Sequence, residues 1–121
     1  MIDELIDVMK KEHKTSRICL HSSINDPVHQ SVIVTSNKFE NRIHYHPTKP
    51  ETIYPLVGEA VINLYDKEKR KIEEISIRKD FQLAATITTN SLHNFTVNSE
   101  VFIFLEVSKG PFTRNSTIYV E

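Results

Sequence analysis

The chain has 121 residues, with 15 Lys and Arg against 16 Asp and Glu, a formal net charge of -1 and a single cysteine. That length fits one domain with one modest core, and basic residues spread along a near-neutral chain leave no positive field to hold a nucleic-acid backbone. Cys19 alone excludes an internal disulfide and suits a reducing compartment.

Met1, Ile2, Asp3 and Glu4 open the sequence without the basic start and apolar run of a signal peptide, and no apolar stretch approaches membrane-spanning length. A soluble, cytoplasmic protein is the expectation. Ile2, Leu5, Ile6 and Met9 recur at helical spacing, with acids early and Lys10, Lys11 and Lys14 late, as the helix dipole favours. The spacing predicts a helix over residues 2–12, inside an N-terminal segment of residues 1–14. From Arg17 the pattern changes to short β-prone runs at 17–20, 30–34, 52–56, 60–65, 72–77, 84–88, 95–97 and 101–107. Many short strands with close turn signals predict an antiparallel sandwich or barrel over residues 17–112, followed by a tail at 113–121. Residues 66–71 are all charged and read as a solvated hairpin. Gly58 and Gly110 are the only glycines, so Asn and Asp at positions 25, 26, 37, 66, 90 and 98 are expected to serve other turns.

The chemistry concentrates in one stretch. His44 and His46 are separated by one residue, which on a strand projects both imidazoles to the same face. Pro47 and Pro50 interrupt that strand and turn the chain, returning Glu51 towards the histidines. Gly58 completes the pattern, and a lone His93 follows downstream. No nucleophile elbow, phosphate loop or CxxC pair is present, so acyl transfer, nucleotide hydrolysis and thiol redox chemistry have no support.

This arrangement resembles the paired motifs of the cupin superfamily, in which a first motif carries H-x-H, Glu and Gly and a second supplies one more His. Lys38 stands where the first motif usually has a glycine, and Gln82, Thr88 and Asn90 stand where the second usually has glycine, proline and glycine. A wider resemblance covers most of the chain. The opening amphipathic stretch, Arg17 to Ser23, Asp26 to Gln30, the ligand motif and Lys109-Gly110-Pro111-Phe112 look like the WbuC family of cupin-fold metalloproteins, associated with O-antigen and other surface-polysaccharide gene clusters. The resemblance implies an all-β cupin-type barrel or jelly-roll sandwich spanning residues 1–121, with a short N-terminal helix. It also implies metal ligands at His44, His46, Glu51 and His93, and a sugar or sugar-nucleotide substrate.

Three histidines and a glutamate suit one divalent transition metal, Fe, Mn, Ni, Co, Cu or Zn, rather than Ca or Mg. An ion with free positions would act as a Lewis acid for isomerisation or epimerisation, while a closed tetrahedron would make it structural. Iron-dependent oxygen chemistry, a non-catalytic carbohydrate-binding role and a metal-free ketoisomerase are the alternatives; Glu51 in motif register argues against the last. Arg17, His21, Gln30 and Arg42 are candidates for binding an anionic or hydroxylated substrate at the barrel mouth, and Tyr54 and Tyr65 for supplying a hydroxyl. Phe95, Phe102 and Phe104 read as core, Cys19 as buried and inert, and His13 and His29 as surface residues. Cupins often pair through exposed strands, so a homodimer is expected.

Overall fold

The computed structural model describes residues 2–81 and 83–121. Gln82, one of the departures from the second motif, lies outside the described residues, as does Met1.

The helix α1 spans Ile2–Glu12 as its periodicity predicts, with Asp3 and Glu4 in its first turn and Lys10 and Lys11 in its last. Leu5 and Met9 are buried on its inner face and pack with Val34 and Ile103, flanked by Ile18 and Val32. The helix therefore covers the outside of a sheet. His13, just beyond it, takes a left-handed conformation with φ 53°, and the chain turns into the first strand.

The strands follow as β1 (Ser16–Cys19), β2 (Val28–Thr35), β3 (His44–Tyr45), β4 (Glu51–Val57), β5 (Ala60–Tyr65), β6 (Lys71–Ile77), β7 (Ala85–Ile87), β8 (Leu92–Val97), β9 (Phe102–Lys109) and β10 (Ile118–Tyr119). Each predicted run is found, with shifts of a few residues at the ends. Among the described residues they form two five-stranded antiparallel sheets, ordered β1-β2-β9-β4-β7 and β10-β3-β8-β5-β6. One apolar cluster lies between them, built from Ile33, Ile53, Ile62, Ile77, Ile87, Phe102 and Phe104 with Phe95 and Val97 against it. The all-β sandwich with a short N-terminal helix is thus the observed architecture.

The stretch expected as a tail is built into the second sheet. A single 3-10 turn at Arg114–Ser116 leads into β10, which pairs Ile118 with Tyr45 and Tyr119 with His44. Two residues of strand are too short to show a period in sequence, and their register comes from β3. The charged hairpin at 66–71 closes as predicted: the Asp66 carboxylate accepts the Glu68 and Arg70 amides, each at 2.9 Å. Gly58 turns β4 into β5 at φ 80°, where an added Cβ would collide with the Val101 carbonyl and the Ser99 hydroxyl.

Candidate metal centre

Short strand β3 sits between β10 and β8, and its register sets His44 directly opposite His93. His46 is one step past the strand end, on the same side as His44. Glu51 opens β4 in the facing sheet and points inward with Ile53 and Pro55. The two sheets thereby bring His44, His46, Glu51 and His93 together, with one donor atom from each lying within 4.8 Å of the others. His46, Glu51 and His93 are buried.

The loop before His93 departs most from the cupin pattern, yet it closes the site. Asn90 takes the left-handed conformation at φ 63°, which a short amide side chain tolerates where glycine is absent. Its amide donates to the His46 carbonyl at 2.9 Å, and the hydroxyls of Thr88 and Ser91 bond to each other at 2.9 Å. Asn90 fills the role of the missing glycine.

All three imidazoles are oriented by backbone. His44 Nδ1 donates to the Arg42 carbonyl at 2.7 Å, His46 Nδ1 to the Ser116 carbonyl at 2.9 Å and His93 Nδ1 to the Ser91 carbonyl at 2.8 Å. A carbonyl oxygen only accepts, so each Nδ1 carries the proton and each neutral ring presents a lone pair at Nε2. Those atoms face the carboxylate: His93 Nε2 is 3.2 Å from Glu51 Oε1, and His46 Nε2 is 3.3 Å from Glu51 Oε2. His46 Nε2 is buried without a hydrogen-bond partner. Acceptors facing acceptors at this distance require a proton or a metal cation between them. Ring nitrogens whose opposite N–H is held by a backbone carbonyl, plus one carboxylate, are the donor set a transition metal takes, so the residues fit the ion.

Electrostatics point the same way. Burial, with the neighbouring imidazoles, lowers the His44 pKa to about 4 against the bond to the Arg42 carbonyl. Burial also pushes His46 down, but the adjoining Glu51 carboxylate outweighs it and the net shift is upward. Burial would raise Glu51; instead His46 and His93 hold its carboxyl well below the usual range. A metal ion at the centre would replace the proton that Glu51 otherwise favours on His46.

A cavity of about 510 Å³ opens beside the cluster, lined among others by Arg17, Cys19, His21, His29, Lys49 and Glu106. Of the five substrate-binding candidates, Arg17 and His21 line it and three do not. Gln30 and Tyr54 lie on the outward positions of β2 and β4, because inward positions there are taken by His29 and Ser31 and by Ile53 and Pro55. Arg42 stands outside, its guanidinium 4.5 Å from the centre of the Tyr119 ring, and serves the site through its carbonyl. The Tyr65 hydroxyl donates to Asn94 Oδ1 at 2.9 Å, a structural bond.

Two further expectations are corrected. His29 is buried, stacked on His21 with ring centres 3.9 Å apart, because the loop before it folds over and its Nε2 donates to the Ile24 carbonyl at 3.1 Å. Gly110 makes room for this ring, since a Cβ there would lie 2.6 Å from His29 Cδ2. Cys19 is exposed rather than buried: β1 is an edge strand that turns Ile18 towards the helix and Cys19 away from it, to the cavity side.

Sequence reasoning missed Glu106. It follows Phe102 and Phe104 at a spacing of two, so a carboxylate on the buried face of β9 was visible as a break in an apolar alternation. Burial, and then the charge of Glu51, push its carboxyl up to about 7 against the opposing pull of Arg17 and Lys49.

No family model matches the chain, and no curated protein matches it. Solved structures do, and these neighbours are cupin-superfamily proteins. The capsular polysaccharide assembling protein CapF from Staphylococcus aureus superposes with a TM-score of 0.70 at 17% identity over 88% of this chain and 34% of its own. A cupin-superfamily protein from Desulfitobacterium hafniense gives 0.61 at 18% identity, covering 79% of this chain and 77% of its own. Oxalate decarboxylase from Bacillus subtilis gives 0.63 at 17% identity, covering 88% of this chain and 27% of its own. This chain thus spans about a third of the length of CapF. At these identities the likeness shows the fold: a cupin-type β sandwich. Among the described residues, no helix is long and apolar enough to cross a membrane.

Proposed function

We propose that this protein is a metal-dependent cupin-fold protein acting on a sugar or sugar-nucleotide in surface-polysaccharide biosynthesis, by isomerisation, epimerisation or a related proton shift. One observation carries the metal: three imidazoles, each fixed by a backbone carbonyl at Nδ1, turn their free nitrogens towards one buried carboxylate. His44, His46, Glu51 and His93 would hold the ion, which when bound supplies a Lewis acid to polarise a carbonyl oxygen.

The substrate class rests on three supports. The sequence resembles the WbuC family, a fold neighbour is a capsular polysaccharide assembling protein, and the cavity has the size and lining of a small-molecule site. Arg17 and Lys49 offer cationic donors there, Ser31, Asn41 and Ser108 offer hydrogen bonds, and Phe95 and Phe104 form an apolar wall. These groups bind and orient hydroxyl and acidic groups while the sandwich keeps bulk water from the buried ligands.

The test is metal content by mass spectrometry on untagged protein purified without chelator, beside a His44→Ala/His46→Ala double variant. Near-stoichiometric metal that disappears in the variant is expected. Iron would move oxygen chemistry forward, and manganese, nickel, cobalt or zinc would favour the proton shift. Folded wild-type protein that neither carries nor takes up metal would sink the reading.

A further inference from the structure

The metal cluster leaves the cavity without an assigned group to move a proton, and the inner face of the first sheet supplies one. Register on β9 sets Ser108 between His29 and Glu51, and Glu106 between Ser31 and Ile53. Glu106 is therefore the diagonal neighbour of Glu51, at the roughly 7–8 Å such neighbours keep across a sheet. Glu51 and Glu106 are the carboxylates among the described lining residues. Their situations differ. Glu51 is engaged by His46 and His93, whereas no hydrogen bond or ion pair among the described residues engages the Glu106 carboxyl. A half-buried, unpartnered acid beside a cavity is costly to keep for packing alone, since an apolar residue would continue the row of Phe102 and Phe104.

We propose that Glu106 is the acid–base residue of this site, and that its substrate is a sugar-sized hydroxy-carbonyl compound bound between it and the four-ligand cluster. The inference rests on the reading of the site given above. The Glu106 carboxylate takes the proton from the carbon beside the carbonyl. The C–H electron pair becomes a carbon–carbon double bond, and the carbonyl π pair moves to its oxygen. Glu106, now neutral, returns the proton either to the same carbon from which it came or to the former carbonyl carbon. In the second case the hydroxyl proton passes between the two oxygens and the carbonyl moves one carbon along. Atoms and electrons are conserved within the substrate, and no co-reactant enters. In metal-free protein burial, and then the Glu51 charge, raise this carboxyl to about 7, and a carboxyl held up by burial is suited to both halves of such a cycle.

The experiment follows deuterium uptake beside the carbonyl of dihydroxyacetone, erythrulose and fructose by proton NMR in deuterated water, using metal-loaded protein. Wild-type protein is expected to exchange at least one probe, and Glu106→Gln to slow that exchange about 100-fold or more at unchanged metal content, with Glu106→Asp recovering part of it. A readout apart from turnover is the carbon-13 carboxyl resonance of Glu106 in zinc-loaded protein, assigned by its loss in Glu106→Gln, which is expected to shift on adding the exchanging probe. Equal exchange in wild type and Glu106→Gln overturns the role of Glu106 and leaves the metal-dependent reading standing. No exchange of any probe by fully metal-loaded wild type overturns the proton-transfer assignment, whether or not the resonance shifts. Loss of metal from the protein is scored separately and counts against the reading of the site.

Discussion

The interior of the sandwich has a dry end and a wet end, built from the same strands. Along β9 the inward side chains run Phe102, Phe104, Glu106, Ser108; along β8 they run from Val97 and Phe95 to His93; along β4 Ile53 gives way to Glu51. At the dry end the two faces close into one apolar cluster. At the wet end the same alternation carries imidazoles, carboxylates and hydroxyls. Hydrophobic burial holds the sheets together at one end and so fixes the spacing of polar groups at the other, where desolvation works against the fold. Stability and chemistry are thus divided along the strand axis, and single substitutions at the dry end are expected to lower stability while leaving the metal site intact, whereas those at the wet end change the chemistry and act on stability with the opposite sign.

The largest effect on stability is expected at the dry end. Phe102 is fully buried and stacks on Phe104 with ring centres 5.1 Å apart. Phe102→Ala should cost about 3–5 kcal/mol, read as a lower midpoint in urea unfolding, because the space it leaves is closed in by neighbours that relax only in part. Metal stoichiometry of the folded fraction should stay unchanged. Metal lost in proportion to stability would show that the two ends are coupled and that the division is false.

A smaller effect of opposite sign is expected at the wet end. In metal-free protein the Glu106 pKa of about 7 lies above its usual 4.5, so the folded state binds more protons than the unfolded one between those values. That contribution to stability is complete below pH 4.5 and is lost as pH rises through 7. Glu106→Gln removes the charge and should stabilise metal-free protein by about 1–3 kcal/mol at pH 8, with little change at pH 5. Thermal unfolding at the two pH values checks this. Equal shifts at both would mean that the effect is packing, not charge.

The dry end was the more legible in the sequence, for a physical reason. Alternation and helical spacing report burial directly, so α1, β5 and the Phe102 and Phe104 row follow from pattern alone. The H-x-H spacing and Glu51 were legible because a metal needs several donors on one face. The outer support of the site was not. The carbonyls of Arg42, Ser91 and Ser116 orient the rings through backbone, which carries no residue signature. His29 reads as a surface residue until Gly110 and the residue 24 loop are seen to close over it. β10 is placed by pairing with a strand more than 70 residues earlier, a relation no local pattern contains.

Tyr54 sharpens the comparison by being expected to do nothing at either end. Its phenol hydroxyl made it a candidate for proton transfer, yet three residues beyond Glu51 on a strand it falls on the opposite face. It is 40% exposed on the outer side of β4, while Glu51, Ile53 and Pro55 turn inward. Tyr54→Phe removes only a hydroxyl for which no hydrogen bond among the described residues is formed. The change should move stability by less than about 0.5 kcal/mol and leave metal content and deuterium exchange at wild-type values. A clear loss of exchange in Tyr54→Phe would mean that the outer face of β4 reaches the chemistry, and that strand alternation does not separate the site from the surface.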